Sequence, residues 1–384
     1  MAQGCGHRIL AKRPRTEVAV QQSVVDHPVA DASPATASVE VCGATATLGR
    51  VDITTVADDL IVAHQVGPSR EVVRLTNLQP DTIHHVGNHE VRTLPRPEGQ
   101  LLCRIGTVND LHFGEIEAGK IDDDPRGPIQ RVEPGEPPHP ETMNQSAIAE
   151  MAAADLVAVV VKGDLTNDGT GEEFASFETS YRTAFGDRLH VTRGNHDAYR
   201  GQHAYAGDEW IDLPGVSIAL LDTVIPEQTT GTISAQQLQW IDDHSATADR
   251  PVVVMGHHQQ WVAGVRHDGY FGLDPDSADG LTQVVANNPG IVAYTAGHTH
   301  RHRLRYMSCG VPSIEVGCVK DFPGTWAEYR VYEGGIMQVV HRLSSPEALR
   351  WSDRCRHLMS DFGIDYEKYA LGNLEDRCFN IPLR

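Results

Sequence analysis

Five short segments of this 384-residue chain concentrate the residues able to bind metal or move protons. In order they are Asp110-Leu111-His112, Gly163-Asp164, Gly194-Asn195-His196-Asp197, Gly256-His257-His258 and Gly297-His298-Thr299-His300. Together they offer carboxylates, imidazoles and one amide, a hard-to-borderline donor set suited to two divalent or trivalent ions. Hydrolysis of a phosphate ester is the chemistry such a pair supports.

Each segment follows an apolar, β-branched run, so each falls where a buried strand should end. Residues 101–108, 156–161, 189–192, 216–221, 252–255 and 291–296 read as strands. Helical patterns lie between them. Phe174, Phe177, Tyr181 and Phe185 share one face ahead of Gly186. Ser234 and Gln237 form a capping-box pair before Leu238 and Ile241, and Leu281, Val284 and Val285 make another apolar face. Alternating strand and helix predicts an α/β domain. In such sheets ligands bind beyond the carboxyl ends of the strands. Five strand ends would therefore converge on one surface.

The flanks differ. Residues 1–35 show no clear period and are expected to be loose. Residues 36–97 read as a small all-β domain, with turns at Gly67-Pro68 and Pro80-Asp81. Within it, Leu78-Gln79-Pro80-Asp81-Thr82-Ile83-His84 resembles the corner of fibronectin type III domains, with His84 at the tyrosine position. Gly87-Asn88-His89-Glu90 repeats the third segment but follows a turn, and is expected to be a hairpin loop. A catalytic domain over 98–343 and a helical tail over 344–384 complete the division. The Pro-, Gly- and acid-rich stretch from Gly114 to Pro140 follows the first segment directly and should lie beside the site.

Composition narrows the class. With 40% hydrophobic and 22% charged residues, the chain can bury a core. No run approaches the roughly 20 apolar residues that span a bilayer. The seven cysteines include no Cys-x-x-Cys pair, so reduced thiols in a cytoplasm are expected. A formal net charge of −20 argues against nucleic acid as partner.

The order of the five segments resembles the calcineurin-like metallophosphoesterase superfamily, over about Leu101 to His341. That resemblance implies a β-sandwich core flanked by helices. It also implies one metal on Asp110, His112, Asp164 and His300, and a second on Asp164, Asn195, His257 and His298. Asp164 would bridge the two, and a hydroxide held between them would attack phosphorus. His196 would face the substrate, to stabilise charge or protonate the leaving oxygen, and Asp197 would orient His196 by a hydrogen bond. His258 is expected in a supporting or rim position. His139, His203, His267 and His302 are expected at the surface or rim, and Arg193 and Arg301 could touch substrate.

Protein phosphatases of the superfamily carry an arginine after the second motif that Gly163-Asp164-Leu165-Thr166-Asn167-Asp168-Gly169 lacks. The stretch from Leu221-Asp222-Thr223 through Gly231-Thr232-Ile233-Ser234 to Gln237-Leu238 and Trp240 resembles small bacterial phosphodiesterases of cyclic nucleotides or glycerophosphodiesters. The expected function is thus hydrolysis of a small-molecule phosphodiester, a cyclic nucleotide in first place, with two Mn, Fe, Zn or Co ions. A phosphomonoesterase and a non-catalytic metal-binding scaffold are the alternatives. The tail is expected to pack on its own domain, or on a second copy in a homodimer.

Overall fold

The computed structural model describes residues 38–40, 50–121, 124–260 and 271–384. Residues 1–35 and His267 lie outside the described residues. Six strands come first: β1 (Ser38–Glu40), β2 (Val51–Val56), β3 (Leu60–Gln65), β4 (Val72–Thr76), β5 (Ile83–Val86) and β6 (His89–Arg92). Strands β1 to β4 form an antiparallel sheet ordered β1-β4-β3-β2, and β5 and β6 form a separate hairpin. Gly87 and Asn88 make the turn of that hairpin, so the second Gly-Asn-His-Glu string stands apart from the other motifs. Val51, Val56, Ile61 and Leu75 share a buried cluster with Met337 and Val339. The small sheet therefore draws its core from the strands behind it.

From Leu101 the chain alternates. Strand β7 (Leu101–Val108) leads through an irregular stretch to α1 (His139–Ala153) and β8 (Ala158–Lys162). Next come α2 (Gly171–Phe177), one π turn, α3 (Thr183–Phe185), β9 (Leu189–Thr192), β10 (Glu209–Leu213) and β11 (Val216–Leu220). Then follow α4 (Ala235–Thr247), β12 (Val252–Met255), α5 (Pro275–Asn287), β13 (Ile291–Ala296), β14 (Arg303–Tyr306), β15 (Pro312–Glu315), β16 (Thr325–Tyr332) and β17 (Gly335–Arg342). The chain closes with α6 (Pro346–Arg354), α7 (Tyr366–Leu371), α8 (Leu374–Arg377) and β18 (Phe379–Pro382).

Two six-stranded sheets result, ordered β18-β17-β16-β7-β8-β9 and β10-β11-β12-β13-β15-β14. Their apolar runs face both ways. In β8, Val159 and Val161 point to the helix side while Ala158 and Val160 join the core between the sheets. In β12, Val252 and Val254 face α4 and α5 while Val253 and Met255 face inward. Successive strand residues alternate faces, so a strand covered on both sides reads as one unbroken apolar run. The architecture is helices, sheet, sheet, helices: the helix-flanked β-sandwich that the sequence predicts. Phe177, Tyr181 and Phe185 are buried, and Ser234 caps α4 as expected.

The tail departs from its helical expectation. Its last residues form β18, which pairs antiparallel with β17 and extends a main sheet. Among the described residues no helix is long and apolar enough to cross a membrane.

Candidate metal centre

Parallel pairing sets the strand ends level. Val108 lies beside Val161, Lys162 beside Thr192, and Met255 beside Thr295. The chain then leaves each strand in a tight turn. Asp110, His112, Asp164, His298 and His300 all take left-handed backbone angles, with φ between 49° and 68°. Such angles at non-glycine residues are strained and persist where the surroundings over-determine them. Two glycines make room. A Cβ on Gly194 would stand 2.2 Å from Asp164 Oδ1, and one on Gly163 2.5 Å from His257 Nδ1.

The carboxylate of Asp164 sits at the centre. Its Oδ2 is 3.5 Å from His112 Nε2 and 3.3 Å from His257 Nε2, and its Oδ1 accepts from the His196 N–H at 3.0 Å. Asn195 Oδ1 lies 3.1 Å from His257 Nε2. On the other flank, Asp110 Oδ1 is 3.7 Å from His300 Nε2 and accepts from the His298 N–H at 3.0 Å. Donor atoms lie within 4.8 Å of one another in the groups Asp110–His112–His300, Asp110–Asp164–His257 and His257–His258–His298. All seven residues expected from the sequence as ligands meet here. Both ring nitrogens of His112 are buried without a hydrogen-bond partner, which suits a site built for cations.

Outer contacts aim the donors. His257 Nδ1 donates to the Lys162 carbonyl at 2.8 Å, which turns Nε2 toward Asp164. His298 Nε2 donates to the Phe271 carbonyl at 2.9 Å, which makes Nδ1 the acceptor nitrogen of the neutral ring. Asn195 Nδ2 donates to the Tyr199 hydroxyl at 2.5 Å, so its oxygen faces His257. Bonds of this kind fix tautomer and orientation in metal-binding sites.

A family model, calcineurin-like phosphoesterase, matches residues 103–302, just over half of the chain. The chain belongs to this family. It is similar, at 25% identity over 189 residues, to a Synechococcus protein named as a probable cyclic nucleotide phosphodiesterase, covering 46% of this chain and 72% of that one. It is also similar, at 25% identity over 177 residues, to a probable glycerophosphodiester phosphodiesterase of Arcobacter nitrofigilis, covering 41% of this chain and 64% of the relative. Among solved structures, a dimetal phosphatase from Danio rerio superposes with a TM-score of 0.48 and 16% identity, over 62% of this chain and 96% of that one.

As a metal-dependent phosphoesterase the chain needs neutral imidazoles and an ionised carboxylate. Burial lowers His112 to about 4 and His298 to about 3, which keeps their lone pairs available. Burial alone would raise Asp164, but His257 and His196 beside it hold it well below the usual carboxylate range. Burial likewise opposes charge on His257, and the Asp164 carboxylate outweighs it, lifting His257 to about 9, so an ion bound there would displace that proton. Burial pushes the Lys162 amine down to about 7; that amine donates to Thr295 Oγ1 at 3.1 Å and the Ala296 carbonyl at 3.2 Å.

Several expectations need correction. Asp197 does not orient His196. Its Oδ1 accepts from the Thr166 N–H and hydroxyl, and its Oδ2 from Leu165 N–H and Gly194 N–H. The partner of His196 Nδ1 is the Asn167 carbonyl, at 2.6 Å. Neighbours in the 3₁₀ turn His196–Ala198 point apart, which separates the two roles. Of the two places expected for His258, the structure gives the supporting one: it is fully buried, with Nδ1 2.8 Å from the Thr223 hydroxyl. His139 and His302 are buried too, whereas His203 is exposed. Arg193 and Arg301 are held by Asp222 and Glu315.

Other contributors gave little sign in the sequence. Buried Asn109 donates to Asp110 Oδ2 at 2.5 Å and to the Val316 carbonyl at 3.1 Å, tying the first motif to the strand beyond it. Its adjacency to Asp110 was the one available clue. The stretch after His112 contributes Glu115, which accepts from buried Lys320 and from His139.

Proposed function

We propose that this phosphoesterase hydrolyses a small-molecule phosphodiester, a cyclic nucleotide foremost, at a centre of two metal ions. Asp110, His112, Asp164 and His300 would hold one ion; Asp164, Asn195, His257 and His298 would hold the other. The observation that carries the reading is Asp164, whose one carboxylate oxygen stands within 3.5 Å of imidazoles from both sets. When bound, such a pair neutralises phosphoryl charge and activates water for in-line attack.

The remaining work falls to the chain. His196 has Nδ1 committed to the Asn167 carbonyl, which leaves Nε2 for the substrate. From there it would hydrogen-bond the developing charge or hand a proton to the departing oxygen. Asp197 would act at a distance, by tying the second and third motif turns together. A diester suits the charges around the motifs. Arg193 and Arg301 are each held by a carboxylate, so they offer little to the second negative charge of a monoester.

The names of the similar proteins point to the same class. The 221–240 stretch has a physical role within it. Thr223 holds His258, Gly231 lies flush against the His258 ring, and Gln237 Nε2 donates to the Asp222 carbonyl at 2.8 Å. That stretch backs the strand end bearing His257.

The test is turnover of bis(p-nitrophenyl) phosphate and p-nitrophenyl phosphate by protein loaded with Mn, Zn, Fe or Co. Faster diester turnover, abolished by Asn195→Ala, is the expected result. Monoester turnover alone overturns the substrate class. No turnover with any of these ions makes the chain a scaffold.

A further inference from the structure

The matched family region ends at residue 302, yet the chain returns to the site from far beyond it. The Tyr369 hydroxyl, on α7, donates to the Thr299 carbonyl at 2.9 Å. Thr299 lies between His298 and His300, whose φ angles are 68° and 53°. The Thr299 carbonyl and the His300 N–H belong to one rigid peptide plane. Holding that carbonyl holds the plane, and rotation of His300 away from φ 53° requires the plane or the imidazole to move.

The two sides of this loop are anchored differently. His298 is secured through its own N–H, which donates to Asp110, and through the Gly297 N–H, which donates to the His257 carbonyl at 2.9 Å. On the His300 side the anchors come from the C-terminal segment. Besides Tyr369, the Ala370 carbonyl accepts from the His302 N–H at 3.0 Å, and Asp376 Oδ1 accepts from the Leu304 N–H at 2.9 Å. The fit is close: a Cβ on Gly372 would stand 2.5 Å from the His302 oxygen. Arg301 lies over the Tyr369 ring at 5.1 Å, and Tyr366 donates to Asp321 at 3.1 Å, so α7 is itself seated from two sides.

We infer that Tyr369 is a positioning residue for His300, so that the segment beyond the family domain sets the affinity of the ion shared by Asp110, His112, Asp164 and His300. The inference rests on the two-ion reading above. A left-handed histidine persists only where its surroundings over-determine it. Without the hydroxyl, the Thr299–His300 peptide can relax and the imidazole swings out of register. The other ion, on Asn195, His257 and His298, keeps its anchors.

The test is Mn2+ binding to metal-stripped protein, read by competition with a chromophoric chelator. Tyr369→Phe keeps the ring and removes only the hydroxyl. The expected result is one ion bound as in the unmodified chain and the other weakened about tenfold, the worth of one hydrogen bond. The melting temperature of the stripped protein should fall by no more than about 2 °C, the effect of one hydrogen bond in a domain this large, and kcat should recover at high Mn2+. His300→Ala should lose the same ion, and adding Tyr369→Phe to it should weaken binding no further, since the hydroxyl acts through that imidazole. Equal affinities in Tyr369→Phe and the unmodified chain would overturn the inference, as would fully additive losses in the double variant. An unmodified chain that binds no Mn2+ at all instead overturns the two-ion reading.

Discussion

Asp197 grips Thr166 twice, accepting its backbone N–H at 2.9 Å and its hydroxyl at 2.6 Å. The other carboxylate oxygen accepts from Gly194 at 2.8 Å and Leu165 at 3.1 Å. One buried side chain thus binds the turn carrying Asp164 to the turn carrying Asn195 and His196. Burial, with the Asp164 carboxylate close by, raises Asp197 to about 6.

Asp197→Asn should therefore act through stability and site geometry together. An amide supplies one acceptor and two donors where four donors converge, so donors are left facing donors. The expected loss is about 3 kcal/mol, typical of stranding buried polar groups beside a lost charge. A denaturant melt of the metal-stripped variant checks it. Unchanged stability would mean that the two turns hold their places without this carboxylate.

His196→Ala should leave both ions in place and lower kcat. A lost general acid costs about 10²–10⁴-fold. The fall should depend on the leaving group: small for p-nitrophenolate, which departs without a proton, and large for an alkyl alkoxide. An equal fall for both would assign His196 to charge stabilisation alone.

Gly194→Ala has no space available. The new methyl would stand 2.2 Å from Asp164 Oδ1 and 2.3 Å from the Asp164 backbone nitrogen. Backbone cannot yield as a flexible side-chain tip can, so Asp164 must leave its position. Loss of stoichiometric metal binding, measured by elemental analysis, is the expected outcome.

His64 gives the fold an acid limit away from the metal centre. It is buried, 2.8 Å from the Thr54 hydroxyl through Nδ1 and 3.3 Å from the Ser344 hydroxyl through Nε2. Burial first, then Arg342, Arg74 and Arg356, keep it well below 6.5. Asp353 and Asp52 answer two of these arginines, not the imidazole. The unfolded chain therefore takes up a proton near pH 6.5 that the folded chain refuses. Stability from this group is full above pH 6.5 and falls as pH drops below it, by up to about 1.4 kcal/mol per pH unit. Urea melts at pH 7 and pH 5 should show a pH slope in His64→Gln that is shallower by one proton. An unaltered slope would place the acid sensitivity elsewhere.

The strands and the ligand cluster were legible because both obey local rules. Val159 to Val161 read as a strand covered on two faces, and Gly163 and Gly194 stand where the motif backbone leaves no room for a Cβ. Asp197 was misread because adjacency in sequence suggested contact with His196. Three of its four true donors are backbone N–H groups, two of them about 30 residues away, and such groups carry no residue signature. The same holds for the Asn167 carbonyl that receives His196. His139 looked like a surface residue because Glu115, its partner, lies in a stretch without period. Tyr369 had no visible reason to matter, since its acceptor is a carbonyl 70 residues earlier.

The number and place of the ions decide how this site works. Crystals grown with Mn2+ and measured at the manganese absorption edge report both in one anomalous map. The predicted result is two peaks about 3.5–4 Å apart, the spacing of two-metal hydrolases, with the Asp164 carboxylate between them. A single peak, or peaks remote from Asp164, would contradict it.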